Sequence, residues 1–286
     1  MVRLFVLITF IILSLSAKAQ NSHDQKAKNQ TIKASPADII LGLETPQQTK
    51  KVKAPPLIIG SAELGFLYKT GNTKSGDIKT GIDFRFEKGA WLSLLDIDLL
   101  LKKSDITDKN GKKRFKTTDQ KWTITSQSNF NLDNKEKNYI YGNIWFEENE
   151  FSGFDNQSSI STGWGRHWYK SSAASLWGDI GPGYKRDLYK STETEPQRTA
   201  DTFIVQLQAL YIRKLGGHVE LKQYLSAKQA LDTSENSIYK AQTTITTKLI
   251  ASMQLKFTLT LGYNSKVESG KENLDTQTAV TLVYSF

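Results

Sequence analysis

Three histidines and two aspartates are the first residues to test for chemistry. His23, His167 and His218 are the only imidazoles, and Asp96 and Asp98 stand two apart in "WLSLLDIDLLLK". A general base needs a nucleophile or water in reach, and a triad needs a third group to orient the base. No Ser or Asn pattern accompanies His167 or His218, so no catalytic set assembles. Neither has a second ligand at metal-binding spacing. The chain has no Cys, which removes thiol chemistry, thiolate sites and disulfides. The expectation is no catalytic residue, no metal and no cofactor, with both histidines as interfacial or turn residues. Asp96 and Asp98 share one face of an alternating segment. Two carboxylates so placed could hold a cation, but the expectation is ion pairing with Lys79, Arg85, Lys222 or Lys256.

The segments that carry these residues alternate with period two. In 254–264, Leu255, Phe257, Leu259, Leu261 and Tyr263 alternate with Lys256, Thr258, Thr260, Gly262 and Asn264. In 77–87, Ile78, Ile82, Phe84 and Phe86 lie opposite Lys79, Asp83, Arg85 and Glu87; Leu95, Ile97, Leu99 and Leu101 lie opposite Asp96 and Asp98. Such alternation reads as strand, and runs of ten or more fit tilted strands crossing a bilayer. Strands are expected near 60–69, 77–86, 91–103, 119–131, 138–148, 157–168, 173–184, 201–214, 218–228, 237–249, 254–265 and 275–286. Short connections alternate with longer polar ones, including 104–118 and 185–200. A soluble sandwich has shorter strands and no such rhythm. The expected fold is all-β: an antiparallel transmembrane β-barrel of about 12 strands.

The polar face would line the lumen, and it carries Lys79, Asp83, Arg85, Asp96, Asp98, Lys102, Glu147, Asp179, Glu220, Lys222, Lys240, Lys248 and Lys256. Both signs occur in similar number, so no single-sign field is built. Trp91, Tyr139, Trp168, Tyr169 and Tyr211 fall beside short turns, and Tyr184, Tyr239 and Tyr263 beside long loops, as two interfacial belts would require. The closing stretch "TAVTLVYSF" puts Val280, Leu282, Tyr284 and Phe286 on one face. A final strand paired to the first would leave no edge in hydrocarbon.

The first residues set the compartment. "MVRLFVLITFIILSLSAKAQ" has an early cation, a short apolar stretch and the small-residue site Ala17-Lys18-Ala19, which reads as a signal peptide over 1–19 for Sec export. Residues 20–56 are rich in Lys, Gln, Ala and Pro without an aromatic residue, and read as a flexible periplasmic segment. Residues 57–286 are the expected barrel. Of the net charge of +9, the leader carries two and 20–56 three, leaving four spread over the barrel without a basic stripe. No nucleic-acid motif appears. The expected location is the outer membrane of a Gram-negative bacterium. The expected partners are outer-membrane lipid and lipopolysaccharide. Nothing in the residues fixes an oligomeric state.

"SAELGFLYKTGNTKSGDIKTGIDFRFEKGAW" (61–91) resembles the opening of the salt-induced outer-membrane protein family, YdiY-like, domain of unknown function 481. The shared features are Ala62-Glu63-Leu64-Gly65, Gly71-Asn72-Thr73 and the return strand 77–87. "GWGRHW" (163–168), "GDIGPGYKRD" (178–187) and "TLVYSF" are also similar, with Trp164 and Lys185-Arg186 as mild departures. The family resemblance implies an outer-membrane barrel with a link to salt stress. The last strand (Val280, Leu282, Tyr284, Phe286) resembles the C-terminal signal of bacterial outer-membrane proteins, which implies the barrel-assembly machinery as its partner during biogenesis. The residues themselves leave two functions open: a narrow, weakly selective channel for ions or small solutes, or a closed-lumen structural barrel of the stressed envelope. A membrane-embedded hydrolase is a distant third.

Overall fold

The computed structural model describes residues 56–69, 75–107, 113–133, 137–150, 152–191, 196–267 and 272–286. The expected signal peptide and all but the end of the 20–56 segment lie outside the described residues.

Twelve strands follow one another: β1 (Leu57–Lys69), β2 (Ser75–Lys88), β3 (Trp91–Thr107), β4 (Lys113–Asn131), β5 (Asn138–Asn149), β6 (Phe154–Lys170), β7 (Ala174–Tyr189), β8 (Arg198–Lys214), β9 (Val219–Ala230), β10 (Ile238–Lys248), β11 (Met253–Asn264) and β12 (Leu274–Ser285). Each pairs antiparallel with its sequence neighbours, and β12 pairs with β1 to close the ring. The connections β2–β3, β4–β5, β6–β7, β8–β9 and β10–β11 lie at one rim, the short-turn rim, where β4–β5 (132–137) is the longest. Those at the other rim include the longest three, 190–197, 231–237 and 265–273, although β5–β6 (150–153) is as short as a turn. Two turns need a backbone that only glycine adopts without strain: Gly89 at φ 60° and Gly216 at φ 119°.

The side-chain alternation puts an apolar row outside on every strand. Ile58, Leu64 and Phe66 on β1, Ile140 and Ile144 on β5, Ile160 on β6, Phe203 and Leu207 on β8, and Val280 and Leu282 on β12 are all exposed. The inward register carries Glu63, Asp83, Arg85, Asn143, Gln206, Lys222, Thr244, Lys256 and Thr281, all buried. A globular domain hides apolar rows and shows polar ones. Here the arrangement is inverted, and an apolar exterior of this extent is covered only by lipid. The wall is a membrane-spanning barrel. Hydrogen bonding around the ring then meets the demand that no sheet edge remain in hydrocarbon.

Two expected loops are shorter than the sequence suggests. β3 and β4 continue to Thr107 and from Lys113, leaving little of 104–118 as loop. β7 runs on through Lys185–Tyr189. Charge on both faces hides the alternation there: Lys185 and Asp187 point in and are fully buried, while Arg186 points out to Asp201 (2.7 Å) across the β7–β8 pairing.

Candidate functional site

The lumen holds a cavity of about 260 Å3 whose lining runs from Leu92 and His167 near the short turns to Tyr263 and Asp275 near the long loops. The inward rows of β1–β6 and of β7–β12 both contribute to it.

Glu63 on β1 is the centre of the charge network. Its carboxylate accepts from Lys79 Nζ (3.1 Å) and from Lys256 Nζ, and Thr281 Oγ1 donates to it at 3.4 Å. Lys79 also reaches Asp98 (3.5 Å). Ser61 Oγ donates to Asp83 (2.9 Å), which stands opposite Asp96 in the β2–β3 register. Lys121 pairs with Glu147 (2.8 Å), Lys222 with Glu220 (3.2 Å), Arg85 with Glu87, and Lys185 with Asp187. Gln157 Nε2 supplies a further bond to Asp187 (3.1 Å). The Lys228 ammonium lies 3.3 Å from the centre of the Trp145 ring, in cation–π contact.

Towards the short turns the filling changes character. Tyr139, Tyr141, Trp177, Leu210 and Ile212 pack as a buried cluster with Tyr224 against it. A hydrogen-bonded layer lies on this cluster. Gln127 Nε2 (3.4 Å) and Tyr139 Oη (3.5 Å) donate to Asp179, Gln208 Nε2 donates to Gln127 (3.4 Å), and Tyr224 Oη donates to Gln208 (2.6 Å). Gly165 makes room for this layer: a Cβ there would lie 2.1 Å from the Tyr139 ring.

Of the residues expected at the lumen, Lys79, Asp96, Asp98, Glu147, Lys222, Lys240 and Lys256 line the cavity. Asp83, Arg85 and Asp179 are buried in the same inward rows, Glu220 is bound to Lys222, and Lys248 sits half-buried opposite Gln254. The expected ion pairing of the aspartates is present between Lys79 and Asp98. Lys256 also pairs with Glu63, Lys222 with Glu220 and Arg85 with Glu87. Tyr139 is no belt residue; it is 1 % exposed and fills the lumen. His167 also turns inward, edge-on to Tyr139 with centroids 5.6 Å apart, whereas His218 is exposed in the β8–β9 turn. Among the described residues no cluster of three or more His, Asp or Glu is arranged to hold a metal.

Sequence reasoning passed over Glu63, although the alternation of Ser61, Glu63 and Gly65 against Ala62, Leu64 and Phe66 already places it inward. Lys185 and Asp187, two apart on β7, lay in a segment read as loop. Lys228–Trp145 carried no signal because β9 and β5 do not pair and the two side chains meet across the lumen.

Both signs stand on both walls of the lumen, Lys79 beside Asp98 and Glu220 beside Lys222. Asp96 and Asp98 lie on β3 and Lys222 on β9, six strands away around a ring of twelve, which is the opposite wall.

The chain is 24% identical to the uncharacterized protein YdiY of Escherichia coli K12 over 229 residues, 79% of this chain and 82% of that protein. Among solved structures, it is similar to the translocator domain of the autotransporter NalP from Neisseria meningitidis (TM-score 0.43, 10% identity, 88% of this chain and 93% of that one). It is also similar to the COG4313 outer membrane channel from Pseudomonas putida F1 (TM-score 0.42, 10% identity, 84% and 100%) and to the KdgM porin (TM-score 0.40, 10% identity, 80% and 99%). The model of the family "Protein of unknown function, DUF481" matches residues 62–286, almost the whole barrel wall, and the chain belongs to that family.

Proposed function

We propose that the protein is an outer-membrane barrel whose lumen is a narrow, weakly selective channel for ions or small solutes. The observation that carries this reading is the axial cavity, whose lining from near the short turns to near the long loops mixes charged and polar side chains with Leu92, Leu94, Leu100 and aromatic rings. A barrel of twelve strands lies between side-chain-filled eight-stranded and open sixteen-stranded ones, which leaves room for a small residual passage. Mixed charge on both walls gives little net preference for either sign. The leader-like sequence supports Sec export, and the apolar exterior supports residence in a Gram-negative outer membrane. Lipid and lipopolysaccharide are its surroundings, and the assembly machinery is its partner in biogenesis.

The test is purified protein in planar bilayers. Small discrete conductance steps with weak selectivity are expected. Asp96→Asn with Asp98→Asn should move the reversal potential towards anions, because two fixed negative charges leave one wall. An unchanged reversal potential would overturn the assignment of these residues to the ion path.

A second reading is favoured by one observation. The Tyr139–Tyr141–Trp177–Leu210–Ile212 cluster packs the short-turn end, and a barrel sealed there is a structural component of the stressed envelope. Tyr139→Ala and Trp177→Ala together separate the two. They widen an existing conductance on the channel reading and create one from silence on the sealed reading.

A further inference from the structure

The outward row of β6 carries one side chain that does not match lipid. It runs Ile160, Thr162, Trp164, Arg166, so a guanidinium stands in line with exposed apolar and aromatic groups. Trp164 and Trp168, both exposed, flank it, with ring centroids 6.3 Å apart and planes at 85°. Arg166 Cζ lies 5.3 Å from the centre of the Trp168 ring, in cation–π contact.

The backbone builds this arrangement. The β6–β7 register shifts between His167 and Tyr169, and the bulge lets the consecutive Trp168 and Tyr169 both face out. Gly178 is the cross-strand neighbour of Arg166, and the indole lies over it: a Cβ there would be 3.8 Å from Trp168 Nε1. Alternation thus divides "GWGRHW" between two faces, with His167 turned to the lumen and Trp164, Arg166 and Trp168 to the bilayer.

The guanidinium has no counter-ion in the chain. Arg186, outward on β7, is held by Asp201, whereas Arg166 makes no ion pair or side-chain hydrogen bond among the described residues. A carboxylate does stand in the neighbouring β4–β5 turn, but it is engaged there. Asp133 accepts from Lys137 N (2.8 Å), Asn138 N (3.0 Å) and Asn138 Nδ2 (2.8 Å). Lys137, Lys170 and Arg213, along the same rim of β5–β8, add positive charge. A cation at the edge of the hydrocarbon is stabilised by an anion at its own depth, and the anion a bilayer supplies there is a lipid phosphodiester. The planar guanidinium matches that group with two parallel hydrogen bonds, and tryptophan rings favour the same headgroup level.

We propose that Arg166, set between Trp164 and Trp168 on the outer wall, holds the phosphodiester of one anionic glycerophospholipid in the leaflet that meets the short turns. This rests on the membrane-spanning reading of the barrel and holds whether or not the lumen conducts.

The test titrates the full-length barrel, freed of lipid in detergent, with phosphatidylglycerol and reads the complexes by native mass spectrometry. The expected result is a first molecule bound more tightly than those that follow. Arg166→Met should weaken that first step roughly tenfold, as the loss of one charge-assisted contact would, and Arg166→Lys should weaken it less. Arg186→Met should leave it unchanged, and diacylglycerol with the same chains should show no preferred first step. A second measurement needs no variant. Phosphatidylglycerol with a photoreactive headgroup, in nanodiscs, should label Trp164, Trp168 and Leu176 in preference to Trp91 and Phe130, an exposed aromatic pair at the same rim.

Equal affinities for successive lipids, or a first step that survives Arg166→Met, would overturn the proposal. Even labelling of the two aromatic groups would overturn it too, whether or not the variants fold. Displacement of the lipid by millimolar inorganic phosphate would assign Arg166 to a free anion instead. Tighter binding of lipopolysaccharide than of phosphatidylglycerol would assign it to the other leaflet. A barrel that conducts yet shows no preferred lipid would sink this proposal alone.

Discussion

Glu63 is one carboxylate shared by two ammonium groups. It is 4 % exposed, and Lys79 and Lys256 both donate to it. Glu63→Gln would leave those two cations facing each other in a confined space, a change that costs on the order of 3 kcal/mol when a buried pair loses one partner. The urea midpoint of the reconstituted barrel should fall accordingly. Adding Lys256→Met should recover much of the loss, since the excess charge goes with it. Additive losses in the double variant would show that the pair does not act as one unit. Glycine gives a second contrast at this scale. A Cβ on Gly181 would sit 1.9 Å from the Thr162 carbonyl oxygen, which is backbone and cannot swing away, whereas one on Gly142 meets nothing within 4 Å. Gly181→Ala should cost about 3 kcal/mol by forcing β6 and β7 apart, and Gly142→Ala should be close to neutral. Heat-modifiable gel mobility against temperature reads both, and equal midpoints would contradict the packing described here.

At the scale of elements, all twelve strands were legible because a wall with lipid on one face and water or polar side chains on the other imposes strict alternation. Alternation also placed Val280, Leu282, Tyr284 and Phe286 in one outward row. The end of β7 was not legible, because Lys185 and Asp187 pair with each other inside while Arg186 pairs with Asp201 outside, so both faces look polar. Nor were the inward Leu94 and Leu100 or the lumenal Tyr139, since period two says that faces alternate but not which large side chains fill the interior. The short β1–β12 seam, four laddered pairs from Ser61↔Ser285 to Leu64↔Leu282, is likewise a property of strand stagger, to which local pattern is blind. Phe286 matters most there. Its backbone exchanges hydrogen bonds with Gly60 (3.2 and 3.4 Å), and its ring occupies the place a Gly60 side chain would take. With only four laddered pairs beside it, Phe286→Ser should lower the yield of heat-modifiable, membrane-inserted barrel and leave more protease-sensitive chain. An unchanged yield would show that the seam closes without this ring.

For the whole molecule, the inside decides the function. The exterior needs only to match lipid, but the interior is half apolar plug and half charged cavity, and the balance between them sets whether water passes. A channel account requires that the cavity connect to bulk solvent through the membrane. Gln242 lines the cavity on β10 and Leu259 lies in the outward register of β11. In a chain with no other thiol, cysteine at either position can be addressed singly. The most direct measurement is single-channel recording of Gln242→Cys, with Leu259→Cys as the lipid-facing control, before and after a charged, membrane-impermeant thiol reagent. The account predicts small discrete currents that fall in steps on modification of Gln242→Cys and do not change for Leu259→Cys. Silent bilayers from barrels shown by circular dichroism to be folded, or currents indifferent to a modified Gln242→Cys, would contradict it.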